Sequence, residues 1–323
     1  MKSIRALIVV GCLASGVAFA QEGGYPVKTI RIVVSAAAGG VTDILGRALA
    51  QQFSDRWRQP AVVENRAGGS NVIGAEHVAR SAPDGYTLLL TAEATFVINP
   101  SLYSKLPYDP VKDFAPITGL VRINQALVAN PALPVKDMRE LIALAKAKPG
   151  ELSYGSFGTG SSGHVNMEQL QTLARVRFNH VPYKGATPAL TDVAAGHLTM
   201  MFISVGSAVP QWRAGKVKRL AVGSSKRLPQ YPEIPTIAES GLPGFEATSW
   251  FGLFATGGTP PEVVAKLNAE TLRVFSDPAF RQRYLDPQLF EPIATSPQQF
   301  AEFIRAESHK WSKVLREANV KLN

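Results

Sequence analysis

The residues with the clearest chemical potential form a glycine loop, Gly158-Thr159-Gly160-Ser161-Ser162-Gly163. The spacing G-x-G-x-x-G is typical of a turn that binds the pyrophosphate of a dinucleotide. Such a site also needs an acidic residue about 20 positions further on to hold the ribose. The sequence has no Asp or Glu between Glu168 and Asp192. The spacing therefore leaves an NAD(P)-dependent oxidoreductase as an alternative and favours a smaller anion as the ligand.

The glycine loop has the features of an anion-binding loop, although the acidic residue of a dinucleotide site is missing. Glycines let a ligand approach the backbone closely, and amide groups at a helix N-terminus point toward negative charge. A strand is predicted before the loop and a helix after it, and one of the serines at the helix start is a natural N-cap. The candidate ligand-binding residues here are Ser156, Gly158, Thr159, Gly160, Ser161, Ser162 and His164.

A second loop of the same design lies nearer the N-terminus, between a predicted strand over 29–35 and a predicted helix over 44–53. Thr42 or Asp43 is the natural N-cap of that helix. Neither loop contains Lys or Arg, so backbone dipoles and hydroxyl groups would hold an anion. Two such helix N-termini on separate domains predict a clasp that closes on a small anion. The candidate residues in this loop are Ala38, Gly39, Gly40, Thr42 and Asp43.

The common catalytic and metal-binding motifs are absent from the sequence. It contains no G-x-S-x-G, no H-E-x-x-H and no paired Cys and His ligands at metal spacing. The five histidines are scattered, and only His164 stands at a candidate ligand loop. We therefore expect a non-catalytic protein without a cofactor or a bound metal.

Strand and helix patterns alternate along the chain, which predicts an α/β fold with mostly parallel sheets. A single core rarely grows beyond about 250–300 residues, so we expect two domains. Domain 1 is predicted to comprise residues 21–122 and 246–323, and domain 2 residues 123–245, joined by a hinge of crossing strands. The predicted strands are 29–35, 61–64, 87–91, 117–121, 126–129, 152–156, 177–181, 198–203, 219–223 and 250–255.

The N-terminus reads as an export signal. Lys2 and Arg5 precede an apolar stretch over 6–18, and Ala18-Phe19-Ala20 is a typical cleavage site. Cleavage after residue 20 would place the mature protein in the periplasm. A lipoprotein anchored at Cys12 is the alternative, although it leaves a shorter apolar segment.

The charge pattern is that of a solvated surface. The formal net charge is +9 at pH 7, and the basic residues are spread along the chain among acidic neighbours. Short basic clusters without interleaved aromatic residues do not predict nucleic-acid binding. We expect a monomer whose mildly positive field attracts small anions.

Several segments together resemble the periplasmic solute-binding receptors of tripartite tricarboxylate transporters, also called the Bug family. The segments are YPVKTIRIVV from Tyr25, AGGVTD from Ala38, VVENRAGGSNVIG from Val62, APDGYTLL from Ala82, LPYDPVKDFAP from Leu106, HVPYKG from His180 and WFGLFA from Trp250. The resemblance implies a two-domain type II periplasmic binding protein, a Venus flytrap with a carboxylate ligand in the cleft. It also implies inner-membrane transporter subunits as partners.

The same resemblance implies further ligand contacts at Thr91, Glu93, Thr95, Tyr183 and Ser204. The chain departs from the family pattern at three places. Ser35-Ala36 replaces Pro-Phe, Glu93 stands where small or hydroxyl residues are common, and Ile203 replaces a frequent Asp. Isoleucine offers apolar surface where an aspartate would repel a second carboxylate. We therefore expect Ile203 to favour a ligand with one carboxylate and an apolar body.

Overall fold

The computed structural model describes residues 24–317. The predicted signal peptide over residues 1–20 and the alternative lipidation site at Cys12 lie outside the described residues. No helix among residues 24–317 is both long enough and apolar enough to cross a membrane.

The described chain alternates strands and helices, as the sequence predicts. The strands are β1 (Ile30–Val34), β2 (Ala61–Asn65), β3 (Thr87–Ala92), β4 (Phe114–Ala129), β5 (Ser153–Ser156), β6 (Asn179–Pro182), β7 (Met200–Ser204), β8 (Lys218–Val222), β9 (Thr248–Thr256) and β10 (Glu291–Pro292). The helices are α1 (Val41–Trp57), α2 (Val72–Ala79), α3 (Asn99–Leu102), α4 (Met138–Ala147), α5 (Ser162–Ala174), α6 (Ala186–Ala195), α7 (Val205–Arg213), α8 (Pro261–Ser276), α9 (Pro278–Phe280) and α10 (Pro297–Glu317). A π-helical turn, Ala94–Ile98, follows β3.

The strands form one continuous mixed sheet in the order β2-β1-β3-β9-β4-β7-β5-β6, and β8 and β10 each pair with β4 beside this path. The outer pairs β1–β2, β1–β3, β5–β6 and β5–β7 are parallel. The pairs that involve β4 or β9 are antiparallel, including β3–β9, β4–β9 and β4–β7. Parallel pairing therefore belongs to the outer parts of the sheet, and antiparallel pairing to its centre. The α/β class is confirmed, but the expected mostly parallel pairing is corrected to a mixed sheet, because β4 and β9 run antiparallel to their neighbours.

The sheet divides into two lobes because β4 changes partners along its length. Residues Phe114 to Asn124 of β4 pair with β9, and Gln125 to Ala129 pair with β7. We call the part built on β1–β3 and β9 lobe 1, and the part built on β5–β8 lobe 2. Separate apolar clusters lie on the faces of each part, with Leu45 and Leu253 in one cluster of lobe 1 and Leu141 and Phe202 in one cluster of lobe 2.

The two predicted strands 117–121 and 126–129 are one strand, β4, and this corrects the sequence-based boundary. Polar residues at 122, 124 and 125 interrupt the apolar pattern, which suggested a break. Arg122 and Asn124 nevertheless stay in the strand because they pair with Trp250 and Thr248 of β9. Tertiary pairing outweighs local pattern here.

The chain passes between the lobes at a tight backbone contact. The amide of Gln125 donates to the carbonyl of Ala247 at 3.1 Å, and the amide of Gly223 donates to the carbonyl of Gln125 at 2.7 Å. A Cβ atom on Gly223 would lie 2.4 Å from that of Ala247, so only glycine fits. This close approach holds the two crossing segments side by side.

Candidate ligand-binding site

The first candidate loop, in lobe 1, presents an open helix N-terminus. Residues Ala38, Gly39 and Gly40 are exposed, and α1 begins at Val41. The N-cap is Gly40, with no side-chain cap among the described residues. The structure therefore corrects the predicted cap at Thr42 or Asp43, both of which lie buried inside the first turn. The first turn keeps amide groups that an anion can accept from.

The Asp43 carboxylate fixes the conformation of this loop through hydrogen bonds. Its carboxylate accepts hydrogen bonds from the Gly39 amide at 3.0 Å and from Asn65 Nδ2 at 3.0 Å, and it pairs with Arg47 Nε at 3.0 Å. Burial alone would raise its pKa, but these three donors together hold the pKa of Asp43 below its usual range. The carboxylate is ionised and satisfied by protein groups, so its role is to fix the loop.

A chain of hydroxyl groups lines the same lobe next to the loop. Ser35 Oγ donates to Thr91 Oγ1 at 2.7 Å, and Thr91 Oγ1 lies 2.6 Å from Thr95 Oγ1. All three side chains are buried, and Tyr108 donates to the Thr95 carbonyl at 2.9 Å. The predicted pair Thr91 and Thr95 is therefore joined by Ser35, at the first position where the chain departs from the family pattern.

The second candidate loop, in lobe 2, is held by its own side chains. Ser161 Oγ donates to the Gly158 carbonyl at 2.6 Å, and Ser156 Oγ accepts from the Gly158 amide at 3.3 Å. Gly158 and Gly160 have φ angles of +131° and +80°, which favour glycine. Ser161 is the N-cap of α5, yet its side chain does not cap the helix. Amide groups in the first turn of α5 thus lack a side-chain acceptor in the described structure.

Two stacked histidines support the second loop from the interior. The His164 ring stacks on the His180 ring with centroids 4.2 Å apart, and Nδ1 of His164 accepts from the Gly160 amide at 3.1 Å. Nε2 of His180 lies 2.7 Å from Ser156 Oγ. Burial lowers the pKa of both histidines to about 4. They are neutral at neutral pH and bring no positive charge to the loop.

Three residues predicted near the ligand make contacts within lobe 2: Tyr183, Ser204 and Ile203. The Tyr183 hydroxyl donates to Asp192, and Ser204 Oγ accepts from the Ser207 amide as the N-cap of α7. Ile203 is 2% exposed and belongs to an apolar cluster of lobe 2. Its side chain therefore packs within the lobe, and this placement does not support the expected effect of Ile203 on the ligand.

The two lobes touch beside the candidate loops. Ser70, which precedes α2 in lobe 1, donates a hydrogen bond from its hydroxyl to the carbonyl of Thr159 in the glycine loop. The Ser70 carbonyl in turn accepts from Asn99 Nδ2 at 2.9 Å. The structure thus brings the glycine loop of lobe 2 against lobe 1.

Glu93 anchors a second contact between the lobes. The carboxylate is 1% exposed, and it accepts from Ser249 Oγ at 2.9 Å and from the Trp250 amide at 3.2 Å. Ser249 Oγ lies 2.6 Å from Oγ of Ser162, the first residue of α5. Gln125 Nε2 donates to both serine hydroxyls, at 2.9 Å to Ser162 and 3.1 Å to Ser249. Burial raises the pKa of Glu93 to about 7.

Sequence reasoning missed four of the residues that join these groups. Ser70 lies in a segment that resembles the family and Ser35 at a departure from its pattern, but neither was expected to make contacts, and Gln125 and Ser249 stand outside those segments. The partners of all four are distant in sequence. A faint signal existed for Gln125, because a polar residue in an apolar strand pattern needs a buried partner. A lone serine carries no comparable signal.

The groups around the two loops differ from those of a dinucleotide site or a metal centre. The strand after the glycine loop, β6, ends at Pro182 and carries no acidic residue for a ribose. Among residues 24–317, no group of three His, Cys, Asp or Glu side chains has the arrangement of a metal site. The groups that converge on the loops are amides, hydroxyls, two neutral histidines and the buried carboxylates of Asp43 and Glu93.

Comparison with known proteins identifies the family. The sequence model of the tripartite tricarboxylate transporter family receptor matches residues 45–320. The chain belongs to this family. Its receptors are periplasmic solute-binding proteins with the two-domain Venus flytrap fold, and the resemblance noted in the sequence is confirmed.

Relatives and solved structures match nearly the whole chain. BugT of Bordetella pertussis is 34% identical over 326 residues, covering 100% of both chains. The R. palustris protein Rpa4515, solved with adipate, is 35% identical with a TM-score of 0.87, covering 92% of this chain and 100% of that one. MatC from Rhodopseudomonas palustris, solved with bound malate, is 34% identical with a TM-score of 0.83, covering 90% and 100%.

Proposed function

We propose that this receptor captures a small organic carboxylate between its lobes and delivers it to the membrane subunits of a tripartite tricarboxylate transporter. The observation that carries the proposal is the pair of helix N-termini, α1 in lobe 1 and α5 in lobe 2, neither with a side-chain cap in the described chain. The lobes meet beside them through Ser70 and Thr159. Amide groups of two helices can then share one carboxylate ligand.

The ligand class follows from the donors and from similar receptors. The two loops contain hydroxyl and amide donors and no Lys or Arg, which suits a small carboxylate and not a polyphosphate. Adipate and malate, bound in the two similar structures, are both dicarboxylates. We therefore place short dicarboxylates first among the candidate ligands, ahead of the monocarboxylate that Ile203 suggested.

The proposal includes export and hinge closure. Export would follow from cleavage after residue 20, and the mature receptor would act as a monomer in the periplasm. Domain 1 would comprise residues 21–122 and 246–323, and domain 2 residues 123–245. The crossing segments at Gln125 of β4 and at Ala247, just before β9, would bend as the lobes close.

A thermal-shift screen of the mature protein tests this function. The panel contains mono-, di- and tricarboxylates, aromatic acids, amino acids, NAD(H) and NADP(H). A ligand at 100 times its Kd stabilises a protein by about 2.7 kcal/mol, which raises Tm visibly. We expect a carboxylate to shift Tm and the dinucleotides to have no effect. A shift with NAD(H) alone would support the oxidoreductase alternative and overturn the receptor.

A further inference from the structure

Glu93 is a buried carboxylate whose hydrogen-bond donors within residues 24–317 are neutral groups. Its hydrogen bonds come from the Ser249 hydroxyl and the Trp250 amide, and the chain of hydroxyls continues from Ser249 to Ser162 at the start of α5. A buried charge without a cationic partner is costly, and such a group commonly takes up a proton instead.

Several charged groups on the elements around Glu93 have partners of their own. Arg122 of β4 stacks over Phe303, and Lys310 of α10 pairs with Glu246 at 2.8 Å. On α5, Glu168 accepts from the Tyr154 hydroxyl at 2.6 Å, and its neighbour His164 is neutral at neutral pH. The strands β3 and β9 carry no charged residue.

The proposed carboxylate ligand, like ionised Glu93, carries a negative charge that requires compensation. A carboxylate ligand between the loops would lie close to the first turn of α5, and Ser162 of that turn is one hydroxyl away from Glu93. With no Lys or Arg in either loop, a second negative charge nearby would oppose binding. Neutralising Glu93 removes this repulsion.

We propose that Glu93 couples ligand capture to proton uptake, so that the receptor binds its carboxylate together with one proton on Glu93. The inference rests on the proposed function, because it concerns the same cleft. Glu93 acts as a positioning and charge-compensating residue, through Ser249 and Ser162, and need not touch the ligand. The cargo is a carboxylate anion, and the co-bound species is a proton from the solvent.

The pH dependence of ligand affinity follows from the coupling between ligand binding and protonation of Glu93. Burial already raises the pKa of Glu93 to about 7, and a bound anion would raise it further. A group whose pKa rises on binding favours the complex below its free pKa and weakens it as pH increases. Affinity should therefore fall about tenfold between pH 6 and pH 8, while the ligand itself remains ionised throughout.

Isothermal titration calorimetry on the full mature protein tests the proposal, with the best carboxylate from the thermal-shift screen as probe. Titrations at pH 7 in buffers of different ionisation enthalpy report the number of protons taken up. We expect about half a proton per ligand at pH 7, rising toward one at pH 8. A carboxylate that binds with no proton uptake at either pH would overturn the inference and leave the receptor function intact.

Two variants locate the proton. Glu93→Gln mimics the neutral acid, so its Kd should stay within about twofold between pH 6 and pH 8 and match the wild-type value at pH 6. Glu270→Gln is the matched control, because Glu270 is a buried carboxylate of α8 that pairs with Arg273 at 2.6 Å. It should keep the tenfold dependence. A Glu93→Gln protein with wild-type pH dependence would refute the assignment, and the wild-type calorimetry decides the question if that variant does not fold.

The screen separates the two proposals. If no carboxylate shifts Tm, the function fails and the proton inference fails with it. If a carboxylate binds but an ammonium-bearing ligand binds best and without proton uptake, Glu93 compensates a positive charge instead, and only the proton inference is lost.

Discussion

Ser70 of lobe 1 donates a hydrogen bond to the carbonyl of Thr159 in lobe 2, 89 positions away in the sequence. This contact joins the loop before α2 to the glycine loop at the start of α5. It joins the two lobes, so we expect it to form when the proposed hinge closes. Residues on both sides of it are candidates for the ligand contact.

Ser70→Ala should weaken carboxylate binding by about 0.5–1.5 kcal/mol, because closure loses one hydrogen bond. Calorimetry on the variant measures the loss. Ser276→Ala is the matched control, since Ser276 is exposed on α8 and its hydroxyl donates to the carbonyl of Leu272 in the same helix. Equal affinity of Ser70→Ala and wild type would show that the Ser70–Thr159 contact contributes nothing to closure.

Small-angle scattering should show a smaller radius of gyration with saturating ligand than without it. The physical reason is that the two helix N-termini contribute half a site each, so the ligand stabilises the closed form. A carboxylate that gave no thermal shift serves as the control and should leave the radius unchanged. An unchanged radius with the tight ligand would argue against hinge closure.

Acid should destabilise lobe 2 through its stacked histidines. Burial lowers the pKa of His164 to about 4, whereas an unfolded histidine titrates near 6.5. The unfolded state thus binds the proton more readily, so the free energy of unfolding falls as pH drops from about 6.5 to 4, by roughly 1–3 kcal/mol for this group. Glu93, whose pKa is raised to about 7, changes stability in the opposite direction over this range. Urea unfolding of wild type and a His164 variant side by side therefore isolates the histidine contribution.

The variant His164→Asn should flatten part of this decline while keeping an acceptor near the Gly160 amide. His309→Asn, at an exposed position of α10, should retain the wild-type decline. If both variants lose stability with acid in the same way as wild type, another group is responsible.

Ile203→Asp should lower stability more than it lowers affinity. Ile203 packs in an apolar cluster of lobe 2, so aspartate would bury a charge without a partner. We expect a lower free energy of unfolding by several kcal/mol and a lower Tm. Val209→Asp, on the partly buried edge of the same cluster, should cost less. A stable Ile203→Asp protein with altered ligand preference would restore Ile203 as a specificity residue.

Local pattern alone determined much of the architecture. The regular spacing of apolar residues placed α4, where Met138, Leu141 and Ala145 are buried, and the predicted helix after Pro260-Pro261 is α8. The two loops were recognised from small residues between a strand and a helix. Such features depend on neighbours a few positions apart, which is why a single sequence reveals them.

The tertiary structure decided how these elements make a site. The family pattern predicts a ligand contact at Glu93, and the structure shows that its carboxylate accepts a hydrogen bond from Ser249, 156 positions away. The end of a strand predicts a ligand contact at Ile203, and the structure packs this side chain with Met201 in an apolar cluster. Hydrogen bonds and packing between residues so distant depend on the relative placement of whole strands and helices, and that placement has no local signature in the chain.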